Sequence, residues 1–241
     1  MSTADLLASL RDDPRPEVRT AAARSFTCDS DPAVAEGLSI SATLDESPDV
    51  RSQCLYTLRY LGDWKVLPLL IRVLADDSDP NVRAAAAIAL GSFPSTVAMQ
   101  ALRDAALNDP DGAVRQHSAW MLGKCAIDLT RMVRDIAVPA LRRVARDPGQ
   151  QEEARGAAIE QLIGLRDRTM LPSLERLLED PSAVVRYWAC YALGLLGGPD
   201  AVPSLQRVAA SASDETSRWG NVGAEALNAI ETIHLRFAPR R

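Results

Sequence analysis

The strongest constraint on the fold is a short pattern that returns at nearly constant intervals along the chain. Seven arginines mark it, most of them after a valine: Arg19, Arg51, Arg83, Arg115, Arg155, Arg186 and Arg218. Successive arginines lie 32, 32, 32, 40, 31 and 32 residues apart. Five copies carry an aspartate six residues before the arginine: Asp13, Asp45, Asp77, Asp109 and Asp180. A period of this length predicts a stack of similar structural units.

The residues within one unit follow a helical pattern. Apolar residues fall three, four and seven positions after the arginine, as at Ala86, Ala87 and Leu90, and these share one helix face. Serine or aspartate followed by proline, just ahead of the arginine, is typical of a helix N-cap and first turn. A second apolar periodicity precedes this turn, for example at residues 66–74. Ala and Leu, both strong helix formers, account for 68 of the 241 residues. We therefore expect two helices per unit.

These motifs carry a family resemblance. The Asp-x-Pro-x-Val-Arg turn, the Ala-Ala pair and the Leu-Gly ending resemble HEAT repeats, in particular the short bacterial repeats of the phycobilisome-lyase type. The resemblance covers nearly the whole chain, as seven units. It implies an all-α fold, a right-handed α-solenoid of about seven HEAT-like helix pairs. It also implies that the repeated aspartates and arginines form a ladder between neighbouring turns, which favours a structural role over an anion-binding track.

One interruption breaks the period. Arg115 and Pro139 are 24 residues apart, whereas the equivalent distance in other units is 17. We expect a single continuous HEAT-repeat solenoid over residues 1–241, with an irregular insertion near residues 124–137. Insertions in solenoids map to loops on one face. The inserted segment is therefore either a longer connection or a binding loop.

Charge and cysteine usage narrow the class of protein. The formal net charge of −5 argues against a general nucleic-acid binder or a protein of anionic membranes. The longest uncharged run contains glycine, serine and proline, so we expect no membrane span. The N-terminal residues are not typical of a signal peptide. Four cysteines without CxxC spacing indicate a cytoplasmic protein with reduced thiols: Cys28, Cys54, Cys125 and Cys190.

Residues for common catalytic sites are sparse. The two histidines, His117 and His234, have no cysteine or other histidine at metal-ligand spacing. HEAT-repeat hydroxylases hold di-iron with repeated His-Glu dipeptides, and this chain has none. Glu160 and Glu225 fall on predicted second helices, but the sequence alone defines no carboxylate pair. We therefore expect no metal, no cofactor, no catalytic residues and no enzyme activity.

Tryptophan and tyrosine concentrate on the predicted second helices, Trp219 included. Six of them are candidate partner-binding residues: Tyr56, Trp120, Tyr187, Trp188, Tyr191 and Trp219. Tyr56, Trp120 and Tyr191 stand five residues after an arginine, a position that points away from the packed helix face. Second helices line the concave surface of HEAT-like solenoids, so we expect these three to face a groove. The other three flank them and either face the groove or pack between adjacent repeats.

These observations predict a non-catalytic binding scaffold that presents an aromatic-rich concave groove to a protein or peptide partner. Two alternatives stay open. The phycobilisome-lyase resemblance implies a lyase or enzyme subunit that holds a chromophore or other small ligand in the groove. A DNA-repair glycosylase-like protein is the second, since HEAT-like alkylpurine DNA glycosylases use Trp and Asp residues, although in a basic groove.

Overall fold

A computed structural model of the chain describes residues 2–26, 31–128, 131–211, 215–216 and 219–238. Cys28 and Arg218 lie outside these ranges. The α-helices are α1 (Thr3–Asp12), α2 (Pro16–Ser25), α3 (Pro32–Leu44), α4 (Pro48–Leu61), α5 (Leu67–Asp76), α6 (Pro80–Leu90), α7 (Thr96–Asn108), α8 (Gly112–Asp128), α9 (Arg131–Arg146), α10 (Glu152–Gly164), α11 (Leu171–Leu177), α12 (Ala183–Leu196), α13 (Val202–Ala210) and α14 (Val222–Phe237). Two short antiparallel strands, β1 (Glu215–Thr216) and β2 (Gly220–Asn221), precede α14.

Consecutive helices form seven pairs within the described residues, with an odd-numbered first helix and an even-numbered second helix. The two helices of a pair pack together in pairs such as α3 with α4 and α13 with α14. Within each unit, second helices of successive pairs also pack together, as α4 does with α6 and α12 with α14. The predicted all-α solenoid of about seven helix pairs is thereby confirmed.

The chain divides into two compact units, Met1–Ile136 and Ala137–Arg241. In the first unit, fully buried leucines such as Leu55 and Leu90 form the interior. In the second, Ile233 of α14 is buried in the same way. One continuous solenoid over the whole chain stays a prediction. No helix in the described part of the chain is both long and apolar enough to cross a membrane.

Aspartate, proline and glycine determine where helices begin and end. The Asp79 carboxylate accepts hydrogen bonds from the backbone N–H groups of Asn81 and Val82, and Pro80 occupies the first turn of α6. Gly62 ends α4 in the left-handed conformation, with a φ of 68°. These are the residue types that helix boundaries need, so the boundaries follow from the local sequence.

The predicted insertion near residues 124–137 is mainly helical. α8 continues to Asp128 and α9 begins at Arg131, while residues 129–130 lie outside the described ranges. Pro139 lies inside α9, whereas the corresponding prolines of α5 and α11 occupy the first turn. In the described part of this segment the added residues therefore lie in α8 and α9, and the choice between a longer connection and a binding loop stays a prediction.

Arginine–aspartate ion pairs link four of the second helices, α2, α4, α6 and α10, to the turn of the next repeat. The Arg51 guanidinium makes two hydrogen bonds of 2.9 Å to the Asp77 carboxylate. Its Nη1 also donates to the backbone carbonyl of Asp45, in its own turn, at 2.9 Å. Only 10% of either side chain in the ion pair is exposed. Equivalent ion pairs are Arg19–Asp45, Arg83–Asp109 and Arg155–Asp180.

Each aspartate of the ladder is also held by its own turn. Oδ1 of Asp77 accepts a hydrogen bond from the backbone N–H of Asp79 at 2.9 Å. Asp45 and Asp109 accept the same bond from the residue two positions on. The hydrogen bond within the turn therefore orients the carboxylate toward the arginine of the preceding repeat. The expected ladder is present, and it runs from one repeat to the next.

Replacing Arg83 with alanine should lower the free energy of unfolding by about 2–4 kcal/mol, because the buried Asp109 carboxylate then loses its cationic partner. Arg103→Ala is the matched control. Arg103 pairs with Asp104 at the surface, so its loss should change stability by less than about 0.5 kcal/mol. Chemical denaturation followed by circular dichroism measures both losses. Equal losses in the two variants would contradict the role given to the ladder.

Candidate functional site

Four aromatic rings meet in the second unit. We call them the aromatic cluster: Tyr187, Trp188, Tyr191 and Trp219. The ring centroid of Trp188, on α12, lies 6.0 Å from that of Tyr187, 5.7 Å from that of Tyr191 and 5.1 Å from that of Trp219. The three rings are inclined to the Trp188 ring by 90°, 80° and 65° respectively. Such edge-to-face contacts are favourable for aromatic pairs, so the four rings stabilise one another.

Trp188 belongs to the packed interior. Only 7% of the residue is exposed. A Cβ atom added at Gly156 on α10 would lie 2.7 Å from Cδ1 of Trp188, which is too close for a real contact. The glycine therefore makes room for the indole between α10 and α12. The side chain thus packs between adjacent repeats, which is one of the two positions that the sequence left open, and partner binding by Trp188 stays a prediction.

Trp219 lies before α14 and not on it. α14 begins at Val222. The side chain of its N-cap residue, Asn221, accepts a hydrogen bond of 2.9 Å from the backbone N–H of Ala224. Trp219 precedes this cap, next to Gly220, whose φ of 110° favours glycine. The expected place on a second helix is wrong, because the last helix begins later than the repeat period predicts. The residue is nevertheless 38% exposed, and its ring contacts Trp188.

The other candidates follow the predicted helix phase. Tyr191 is 40% exposed and Trp120 is 39% exposed, while Tyr56 and Tyr187 are half-buried. In the first unit, Lys124 Nζ lies 5.6 Å from the Trp120 ring centroid. Tyr56 lines an open groove of about 590 Å³ between α2 and α4. The structure therefore brings four of the six candidates together, and Tyr56 and Trp120 lie on other helices in the first unit.

A carboxylate that was not selected as a binding residue lies against the aromatic cluster. The Glu225 carboxylate lies close enough to the Tyr187 hydroxyl for each group to shift the pKa of the other, and Asn228 Nδ2 lies 3.5 Å from Oε2 of Glu225. Burial raises the pKa of Glu225. Burial, together with the Glu225 charge, also raises the pKa of Tyr187. The pair comes from two helices and is 38 positions apart in the sequence, so no short motif points to it.

The described thiols and imidazoles are less suited to chemistry. Burial raises the pKa of Cys190 to about 12. Burial also raises the pKa of Cys54, so both remain protonated at neutral pH. His117 is half-buried, which lowers its pKa. Within the described ranges, no group of three or more His, Cys, Asp or Glu residues is placed to hold a metal ion.

Curated proteins that resemble this chain include enzymes. The deoxyhypusine hydroxylase of Saccharomyces cerevisiae is 27% identical over 187 residues, covering 68% of this chain and 58% of that protein. The deoxyhypusine hydroxylase of Eremothecium gossypii is 26% identical over 214 residues, covering 79% of this chain and 66% of that protein. The chain thus spans less than two thirds of the length of these relatives.

These relatives contradict the expectations of a non-catalytic binding scaffold and of a chain that is not an enzyme. Both are named as enzymes, and the similarity extends over most of this chain. The expectations of a scaffold and of a chain without enzyme activity are therefore wrong as they stand. The di-iron ligands associated above with HEAT-repeat hydroxylases do not fit this chain, because His117 precedes serine and His234 precedes leucine. We therefore derive no step through iron.

Replacing Glu225 with glutamine should remove a pH dependence of stability. The pKa of Glu225 is raised in the folded chain. Between the unfolded and folded pKa values the folded chain binds more protons, so its free energy of unfolding falls as the pH rises through them. Urea denaturation should therefore show Glu225→Gln gaining stability relative to wild type between about pH 4 and about pH 7.

The exposed Glu231 on the same helix supplies the control for this measurement. Glu231→Gln should keep a nearly constant stability difference from wild type over the same pH range. A constant difference for Glu225→Gln would show that folding does not perturb this carboxylate.

The comparisons also settle the fold family. The structure of the CpcE and CpcF complex of phycocyanin lyase from Nostoc has a TM-score of 0.53 at 19% identity, covering 97% of this chain and 95% of that chain. That likeness shows a shared fold, and the similar protein there is bound to a protein partner. The family model for HEAT repeats matches residues 35–123 and 138–227, which confirms the resemblance seen in the repeat motif. The chain therefore belongs to the HEAT-repeat family.

Proposed function

We propose that the chain is an enzyme that acts on a side chain of a protein or peptide, with the aromatic cluster and Glu225 as its substrate-binding surface. The likeness to two deoxyhypusine hydroxylases carries this proposal, because it extends over most of the chain. The proximity of Glu225 to Tyr187, beside the exposed rings of Tyr191 and Trp219, supports it.

Proton transfer is the chemistry that these residues support. A carboxyl group with a raised pKa exchanges protons closer to neutral pH than an ordinary glutamate does. The Tyr187 hydroxyl lies beside this carboxylate and can donate a hydrogen bond that orients it. Tyr191 and Trp219 offer apolar contact area to a substrate side chain, and each ring carries a polar atom at its edge. Glu225 is therefore the proton-transferring group in this proposal.

A protein or peptide partner along the second helices remains part of the proposal. The exposure of Trp120 and the groove beside Tyr56 support further contacts on the second helices of the first unit. The net charge of −5 supports the expectation that the partner is not nucleic acid in general. The buried thiols of Cys54 and Cys190 support a cytoplasmic location.

A peptide that carries deoxyhypusine is the first substrate to test, because the curated relatives are named for it. The purified chain is incubated with this peptide in deuterium oxide, with and without ferrous iron, and mass spectrometry follows deuterium uptake at carbon, which proton transfer can cause without an oxidant. We expect deuterium uptake that does not require added iron. Its rate should fall by a factor of about 100 in Glu225→Gln, the size of a typical acid–base contribution. Glu231→Gln is the matched control and should keep the wild-type rate.

Two results would contradict the proposal. An unchanged peptide after incubation with the wild-type chain would remove the enzymatic role on this substrate. Deuterium uptake that requires iron and proceeds equally well in Glu225→Gln would transfer the chemistry from Glu225 to a metal site.

A further inference from the structure

We infer that the aromatic cluster and Glu225 bind a methylated ammonium group, such as the end of a methylated lysine side chain. The inference rests on the proposed function, because it names the class of side chain that the enzyme holds. Its evidence is the arrangement of rings and charges in the second unit.

The rings supply the attractive surface. The faces of tryptophan and tyrosine carry negative electrostatic potential and attract a cation within about 6 Å of the ring centroid. Tyr191 and Trp219 are both exposed, and both contact the same Trp188 ring, at centroid distances of 5.7 Å and 5.1 Å. Through Trp188 the two exposed rings therefore belong to one aromatic surface, against which a cation can lie. Packing against Gly156 holds Trp188 in place, so the rings keep this arrangement without a ligand.

The charges around the aromatic cluster favour a cation. The Glu225 carboxylate lies beside the Tyr187 hydroxyl of the cluster. Glu160 is exposed on α10, one helical turn after Gly156, against which Trp188 packs. The guanidinium of Arg186, the nearest basic residue along α12, donates hydrogen bonds to backbone carbonyls at the start of that helix. The positive charge of Arg186 is thus directed toward the turn that precedes α12.

The same geometry favours a methylated ammonium group over a primary one. A lysine ammonium is compact and strongly hydrated, and burying it requires acceptors that replace its water. A primary ammonium has three donors, and beyond the Glu225 carboxylate the ring faces of the cluster offer them no strong acceptor. Methyl groups remove the donors and spread the charge over an apolar surface, which suits contact with aromatic rings.

Isothermal titration calorimetry with three matched peptides tests this inference. One peptide carries trimethyllysine, one carries unmodified lysine, and one carries a neutral tert-butyl analogue of the same shape. We expect the trimethyllysine peptide to bind about tenfold more tightly than either of the others, because only it combines charge with an apolar shell. Equal affinity for the neutral analogue would show simple hydrophobic contact and overturn the inference. Preference for unmodified lysine would overturn it as well.

Single substitutions locate the binding. Tyr191→Ala and Trp219→Ala each remove one exposed ring and should weaken trimethyllysine binding about tenfold, with folding checked by circular dichroism. Glu225→Gln should weaken it several-fold, since the ring faces remain. Tyr60→Ala is the control, because Tyr60 is an exposed tyrosine on α4 in the first unit. Unchanged binding in both ring variants would place the cation elsewhere and contradict the inference.

A titration with tetramethylammonium chloride alone distinguishes binding of a methylated side chain from binding of a free quaternary ammonium ion. We expect it to compete with the trimethyllysine peptide but to bind more weakly, because it lacks the peptide contacts. If tetramethylammonium bound as tightly as the peptide, the ligand of this surface would be a free quaternary ammonium ion and not a methylated side chain. The outcome is separable from the proposed function: turnover of the deoxyhypusine peptide without any preference for trimethyllysine would overturn this inference alone.

Discussion

The bidentate pair of hydrogen bonds between an arginine and the aspartate of the next repeat is the interaction on which the rest of the structure depends. Arg51 bonds to the carbonyl of its own turn and to the carboxylate of Asp77, so one side chain joins two turns. Both members are nearly buried, and a buried charge without its partner is strongly unfavourable. The planar guanidinium fixes orientation as well as distance. Successive second helices therefore pack with a repeated geometry, and this repetition defines the solenoid.

Small residues then determine how closely neighbouring second helices approach and which side chains fit between them. Gly156 leaves space for the Trp188 indole between α10 and α12. Between α12 and α14, a Cβ atom at Gly194 would lie 2.9 Å from Cα of Ala229, so this glycine allows two helix backbones to approach closely. The close approach of α12 and α14 also brings Tyr187 to Glu225. The candidate site is thus a consequence of helix packing within the second unit.

Much of the fold could be predicted because its signals are local. The arginine period, the proline at helix starts and the aspartate six residues before the arginine depend on neighbouring residues in the sequence. The exposed phase of Trp120 and Tyr191 followed from helix geometry. The burial of Trp188 depends on a glycine of the preceding repeat, and Trp219 lies where a short strand pair delays the last helix. Such contacts between repeats are absent from any short motif. The enzymatic relatives were missed for a related reason, since the repeat pattern reports fold and not chemistry.

A double-mutant cycle on Arg51 tests the central claim most directly. The first cycle combines Arg51→Ala with Asp77→Ala and gives the coupling energy between successive repeats. The second cycle combines Arg51→Ala with Asp45→Ala and gives the coupling energy within one turn. Arg51 contacts the carboxylate of Asp77 but only the backbone carbonyl of Asp45, which alanine retains. We expect a coupling of about 2 kcal/mol for Arg51 with Asp77 and less than about 0.5 kcal/mol for Arg51 with Asp45. The reverse order, or additive effects in both cycles, would contradict a ladder that joins each repeat to the next.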